Sequence, residues 1–430
     1  MEEKPLKHTL LDKERYQWVI YVLCFAISFL TLGFCGNNSG LYLTAVTKAL
    51  DISRSTYSLR NVFRYATATV LSLFFGPFIS RFGEKKLTCF GIVSLIFAVL
   101  TAAWAESALL IFVSGILLGL GFNFCATTMI TYIIGRWCTK NRGLITGVVL
   151  SATGLGGAVA AQIVTPMIYD ETDLFGYRRA YYMIAVMLVV LLVLVIAFLR
   201  EPPRSEGETF ERRKKRASAA SWSGVTFQEV ARKPFFYLTL AVIFFSTLTA
   251  AMTSLNLSPL MTDKGIDSGF IATALSVQSL ALLLSKAVSG GLSDRFGLRK
   301  IMALCQTCLI VSLASMLVVS DSTFGRGMAL LSNMTAGLGM AVETVLVSCT
   351  VIELFGDRDY AKIMGICMAA CTAGIAVGNF AGNLVFDLCG SYDPMLWTMA
   401  IVMVVVTVMF QFCMTSARKM RKEIETKAVD

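Results

Sequence analysis

Histidine is nearly missing from this chain: one residue, His8, in 430. That removes histidine triads and His-rich metal sites, each of which needs imidazole at the reacting centre. Charge is scarce as well. Only 15% of residues are Asp, Glu, Lys or Arg, against about 25% in soluble domains, too few to clothe a water-soluble surface of this size. No phosphate-binding glycine loop, dinucleotide-binding glycine pattern or nucleophile elbow occurs. No cofactor is therefore expected, and any energy source has to be a gradient rather than ATP. The 12 cysteines lie in or beside apolar runs and read as small hydrophobes. Cys305 and Cys308 form a CxxC without a second pair or a βαβ context, so neither metal nor redox work is assigned to them.

What remains is apolar: 56% hydrophobic residues and a mean hydropathy of +0.69. A helix needs about 20 apolar residues to cross a bilayer. Runs of that kind give spans at 17–46, 56–79, 87–105, 108–134, 143–168, 180–199, 235–261, 270–292, 300–320, 327–353, 361–387 and 394–415, numbered 1 to 12 below. The first run begins near Gln17 and exceeds the 7–15 residues of a signal-peptide core, so it is read as a span. The fold class is an all-α membrane protein of twelve transmembrane helices.

An even number of spans puts both termini on one side. With that side cytoplasmic, the inner segments hold 29 of the 38 Lys and Arg residues, the outer loops hold six and the spans three. This is the positive-inside pattern, and it explains the net charge of +10 without a nucleic-acid partner. The run Arg212–Arg216 lies in the longest inner loop and is read as facing anionic lipid.

That loop divides the chain. Expected parts are a cytoplasmic tail 1–16, a six-helix bundle 17–199, a linker 200–234, a second bundle 235–415 and a cytoplasmic tail 416–430. The halves repeat at an offset of 218 residues. Gly119-Leu120-Gly121 recurs as Gly337-Leu338-Gly339, Gly147 and Gly156 as Gly365 and Gly374, and Asn38 as Asn256. After span 2 the chain reads Gly76-Pro-Phe-Ile-Ser80-Arg81-Phe-Gly83-Glu-Lys85-Lys86. After span 8 it reads Gly290-Gly-Leu-Ser-Asp294-Arg295-Phe-Gly297-Leu-Arg299-Lys300. A tight turn between paired helices needs glycine, and an acid near a helix start is favourable.

The second copy resembles the G-x-L-x-D-R-x-G-R-K signature of the major facilitator superfamily. The first departs by placing Ser80 where that family has Asp. The resemblance implies two six-helix bundles related by a pseudo-twofold axis, with spans 1, 4, 7 and 10 lining a central cavity, spans 2, 5, 8 and 11 flanking it, and Gly76, Arg81, Gly83, Gly290, Asp294, Arg295, Gly297 and Arg299 forming gating loops. A second segment runs Arg136-Trp137-Cys138-Thr139-Lys140-Asn141-Arg142-Gly143-Leu-Ile145-Thr-Gly147, followed by Gly154-x-Gly156-Gly157. It is similar to the W-F-x-x-[KR]-R-G-x-A-x-G stretch of bacterial monocarboxylate and oxalate/formate carriers, with Cys138 and Ile145 departing. That similarity implies a monocarboxylate-like cargo and the bacterial plasma membrane.

Ionisable groups inside spans are costly and are functional candidates by default. Lys286 lies eight residues before Asp294, about 12 Å from the inner end of span 8. A carboxylate solute would supply the counter-charge it needs. Glu343, ten residues before Glu353, is the candidate for carrying a coupled proton, or else a fixed partner for Lys286. Arg60 and Arg64 share one helical face and either draw anions inward or anchor at the headgroups. Asn37, Asn38, Asn123 and Asn256 fall on the cavity-lining spans and either contact solute or tie helices together. Lys286, Asn37, Asn38, Asn123, Asn256 and Arg64 are the expected solute contacts. The expectation is a monomeric secondary carrier moving a small organic anion with a proton through the bilayer. Drug efflux and solute sensing without turnover are the alternatives.

Overall fold

The computed structural model describes residues 5–137, 142–169, 173, 175–200, 226–343, 345–356 and 359–427. Cys138, Thr139, Lys140 and Asn141, residues 201–225 of the linker 200–234, and the side chains of the N-terminal segment, of Asp294 and of the last part of the C-terminal segment lie outside the described residues.

Every regular element among the described residues is helical. Ten helices are long and apolar enough to cross a membrane, and two bent pairs bring the number to twelve when each pair is one span. The apolar runs of the sequence thus become spans because a backbone in hydrocarbon has to bond to itself. Large side chains such as Leu73, Val186, Leu388 and Val408 point outward. In water such a surface would be an aggregation hazard; in lipid it is the solvated face.

The chain forms two compact units, residues 1–202 with 258–283, and residues 203–257 with 284–430. In the first, span 3 (Glu84–Ala103) packs on span 4 and on span 6 (Gly176–Phe198), span 2 packs on span 4, and span 1 packs on span 5 (Arg142–Ile168). In the second, span 9 (Leu298–Met316) packs on spans 10 and 12. Span 11 (Tyr360–Cys389) meets span 7 (Pro234–Asp263), with Gly374 and Gly378 against Phe244 and Leu248. The pairings 3–4, 3–6 and 1–5 therefore recur as 9–10, 9–12 and 7–11, the structural form of the 218-residue repeat.

Several spans differ from the uninterrupted helices expected of them. Span 1 is α-helical over Pro5–Ile27, then π-helical over Ser28–Asn37, then α-helical again over Ser39–Leu50. Span 4 breaks at Ala126, whose backbone is extended, between Ala108–Cys125 and Thr127–Trp137. Span 10 passes from Thr323–Gly339 through a 3-10 turn at Met340–Glu343 to Val345–Phe355, bending by 42°. Span 2 bends by 67° between Arg54–Leu73 and Phe75–Phe82. No proline lies at the breaks in spans 1, 4 and 10.

The signature segments also differ from the loops expected. Gly76 and Arg81 lie in the helix Phe75–Phe82, and Gly290 to Arg295 lie in span 8 (Ser268–Phe296). Each reversal falls on one residue: Gly83 with φ 77° and Gly297 with φ 88°, capping the starts of spans 3 and 9. A side chain is strained at those angles, which is why glycine at the eighth signature position is enough to turn the chain.

Candidate functional site

Span 2 starts with Ser53 accepting a hydrogen bond from the Thr56 amide, an N-cap that fixes the helix register. That register turns Arg60 inward. Only 5% of Arg60 is exposed, so the headgroup-anchor alternative does not hold for it. Its Nη1 donates to Tyr57 Oη and Tyr181 Oη, each at 3.1 Å, and its Nε donates to Ser114 Oγ at 3.2 Å. Arg64, one turn deeper, lays its guanidinium 4.0 Å from the Phe122 ring centre and 5.0 Å from that of Tyr65. Span 4 makes room for both: a Cβ at Gly115 would lie 2.3 Å from the Arg60 carbonyl oxygen, and one at Gly119 would lie 2.5 Å from that of Arg64. Backbone meets backbone there, which sets how close span 2 lies to span 4 at the two arginines.

Arg60 and Arg64 line a cavity of about 10 Å³ together with Ser39, Tyr42, Asn61 and Tyr181. Tyr42 stacks on Tyr181 at 4.3 Å. No acidic side chain lines this cavity, and neither arginine forms an ion pair with a described residue. The hydroxyls and rings take part of the charge through hydrogen bonds and cation–π contact, but none of them carries a countercharge.

The asparagines of span 1 tie it to span 5. Asn37 Nδ2 donates to the Thr153 carbonyl at 3.0 Å, and Asn38 Nδ2 donates to that of Gly157 at 2.9 Å. Both sit at the end of the π-helical stretch, where carbonyls and side chains are out of α register. Asn123, one turn before the break in span 4, has a buried amide nitrogen with no described partner. In the second unit, Asn256 donates to its own helix at Met252 and keeps a buried, unpartnered Oδ1. Its amide nitrogen lies against Gly382 of span 11, as Asn38 lies against span 5.

Lys286 in span 8 and Glu343 in span 10 share the second unit and act on one another electrostatically. Glu343 ends the 3-10 turn, and its Oε1 is buried without a hydrogen-bond partner among the described residues. Cys371 Sγ caps the Glu343 carbonyl at 3.4 Å. A broken helix leaves backbone polar groups free at membrane depth, tolerated where they line a cavity.

At the signature end of the first unit, sequence reading missed Glu84. It follows the Gly83 turn, its side chain is fully buried, and it takes Arg136 Nη1 at 3.0 Å. Ser80 bonds only to the Pro77 carbonyl. The buried acid here thus lies four residues after position 80, beyond the Gly83 reversal, where a search at the signature position does not register it. Arg81 and Arg295 are exposed and lie over Phe82 and Phe296, and Arg299 donates to Gln411. At the opposite end, Arg54 forks onto Asp263 through two 2.7 Å bonds, and Tyr169 gathers Thr44, Ser258 and Thr262.

Among the described residues, ten apolar spans, or twelve counting each bent pair as one, define a multi-pass helical membrane protein, and the family match makes it a transporter rather than an enzyme. The model of the Major Facilitator Superfamily matches residues 22–257 and 239–428, and the chain belongs to that superfamily. It is 21% identical over 392 residues to the uncharacterized MFS-type transporter YcxA of Bacillus subtilis, covering 88% of this chain and 90% of that one. It is 22% identical to the sialic acid transporter NanX of Escherichia coli, over 70% and 71% of the two chains. The solved structure of the nucleoside transporter NupG overlays with a TM-score of 0.68 at 14% identity, over 92% of this chain and 98% of that one, a likeness of fold.

Proposed function

We propose that the protein is a secondary carrier of small organic anions, monocarboxylate-like in size, working by alternating access and coupled to a proton. One observation supports this reading above the rest. Away from the span ends, the described interior holds three cationic side chains, Arg60, Arg64 and Lys286, against one carboxyl, Glu343. Hydrocarbon cannot solvate the excess, so a mobile anion is the natural complement. Lys286 is the group that receives the solute's carboxylate, helped by the unpartnered Asn256 oxygen where the solute carries a hydroxyl; within the first unit, Asn37, Asn38 and Asn123 are the proposed polar contacts. Glu343 exchanges its interaction with Lys286 for a proton when the solute arrives. Sialic acid, which the relative NanX is named for, is itself a carboxylate. The bilayer is read as a bacterial plasma membrane with both termini cytoplasmic, the parts 17–199 and 235–415 acting as the two bundles.

The reading is tested by thermal unfolding of the purified protein against a carboxylate library. A matching acid is expected to raise the midpoint by several degrees in a saturable manner, and Lys286→Gln to remove the shift while leaving the unliganded midpoint near that of the wild type. A shift that survives in Lys286→Gln removes the lysine from the site.

A further inference from the structure

The geometry points to a binding site for one small inorganic anion of chloride size in the cavity between Tyr42, Arg60 and Arg64, separate from the transported solute. This inference stands without the organic-anion reading. Three observations on different side chains carry it. Arg60 is almost fully buried and spends Nε and Nη1 on hydroxyl oxygens, which leaves its Nη2 without a described partner. Arg64 reaches the same cavity, with its Nη2 beside the π-helical stretch of span 1, 3.9 Å from where a Cβ on Gly36 would lie. Tyr42, 3% exposed, lines the cavity with a hydroxyl that is buried and has no hydrogen-bond partner.

Those groups share one chemical character. Guanidinium offers only N–H donors. Tyr57 and Tyr181 already accept from Arg60 and bond to one another, so the orphan Tyr42 hydroxyl is the free hydroxyl donor facing the cavity. Ser39 and Asn61 complete the polar wall. A wall of donors around two cations, with no carboxylate in reach, selects an acceptor with negative charge. Volume sets its size: about 10 Å³ holds roughly one water-sized particle. A water molecule satisfies Tyr42 but leaves both charges uncompensated in a low-dielectric interior; a halide does both. The Tyr42–Tyr181 stack and the Phe122 ring under Arg64 supply the apolar floor that favours a weakly hydrated ion.

The test is equilibrium binding of radiolabelled chloride to the full-length protein in detergent, in gluconate buffer at fixed ionic strength and with no organic solute present. The expected result is saturable binding near one ion per chain, displaced by bromide. Tyr42→Phe, which keeps the ring and its stacking, is expected to weaken binding about tenfold, the usual worth of a hydrogen bond to a charged group. Arg60→Gln is expected to abolish it; where that variant does not fold, the Tyr42→Phe result decides. Absence of saturable chloride binding overturns the proposal, as does binding that Tyr42→Phe leaves unchanged. Acetate displacing chloride at lower concentration than bromide also overturns it, by making the cavity the seat of the solute's carboxylate.

Discussion

An arginine inside a membrane protein is informative because its charge cannot be titrated away. Arg60 keeps its charge among three hydroxyls, and the position of each partner had to come from folding: Tyr57 is one turn before it, but Ser114 and Tyr181 are 54 and 121 residues away. In the sequence those tyrosines look like ordinary interfacial aromatics, so the box around Arg60 was not legible, whereas Arg60, Lys286 and Glu343 themselves stood out as charges in apolar runs. Glu84 shows the opposite case. It reads as one more polar residue at a span end, and only its burial against Arg136 reveals it. Glu84→Gln leaves Arg136 without its countercharge, and because that arginine is partly exposed the cost is expected between the exposed and buried ranges, about 1–3 kcal/mol. Detergent thermal unfolding checks it: a drop in midpoint is expected, and an unchanged midpoint would show the pair to be idle.

At the scale of helices, while span 2 bends at Phe74, spans 1, 4 and 10 are interrupted beside a residue with chemistry, Asn37, Asn123 and Glu343. These are three of the four spans that the sequence resemblance places around the cavity. Hydropathy does not distinguish a π or 3-10 segment from an α-helix, and no proline marks the sites, so the breaks were invisible to sequence reading although the spans were not. The small residues were visible as a repeat, but their purpose was not. Gly115 and Gly119 let span 4 touch the backbone of span 2 at the two arginines. Gly119→Leu is expected to push the helices apart, costing about 1–3 kcal/mol and lowering halide binding; retained binding with full stability would contradict the packing role. Across the turns, Gly83→Ala meets a left-handed backbone and is expected to cost about 1–2 kcal/mol, whereas Gly76→Ala, in a helix with open space around it, is expected to be neutral. Urea or thermal midpoints of the two variants separate these outcomes.

For the molecule as a whole, composition alone led to a membrane protein, and apolar run length led to its spans, because the bilayer imposes one rule on every backbone polar group. The cargo is less legible: it depends on a few polar atoms whose neighbours are set by helix register. Proton coupling belongs at this scale too, since it links solute binding to a gradient. Glu343→Gln is expected to retain exchange of solute between the two sides while losing accumulation driven by a pH gradient, measured as labelled uptake with and without an imposed gradient. Undiminished accumulation would move coupling to another group. The most direct test of the central claim is counterflow in proteoliposomes. Vesicles loaded with an unlabelled monocarboxylate and diluted into its labelled form should transiently concentrate the label, and Lys286→Gln vesicles should not. Failure of every carboxylate to show counterflow, alongside exchange of a neutral or cationic solute by the same vesicles, would contradict the account.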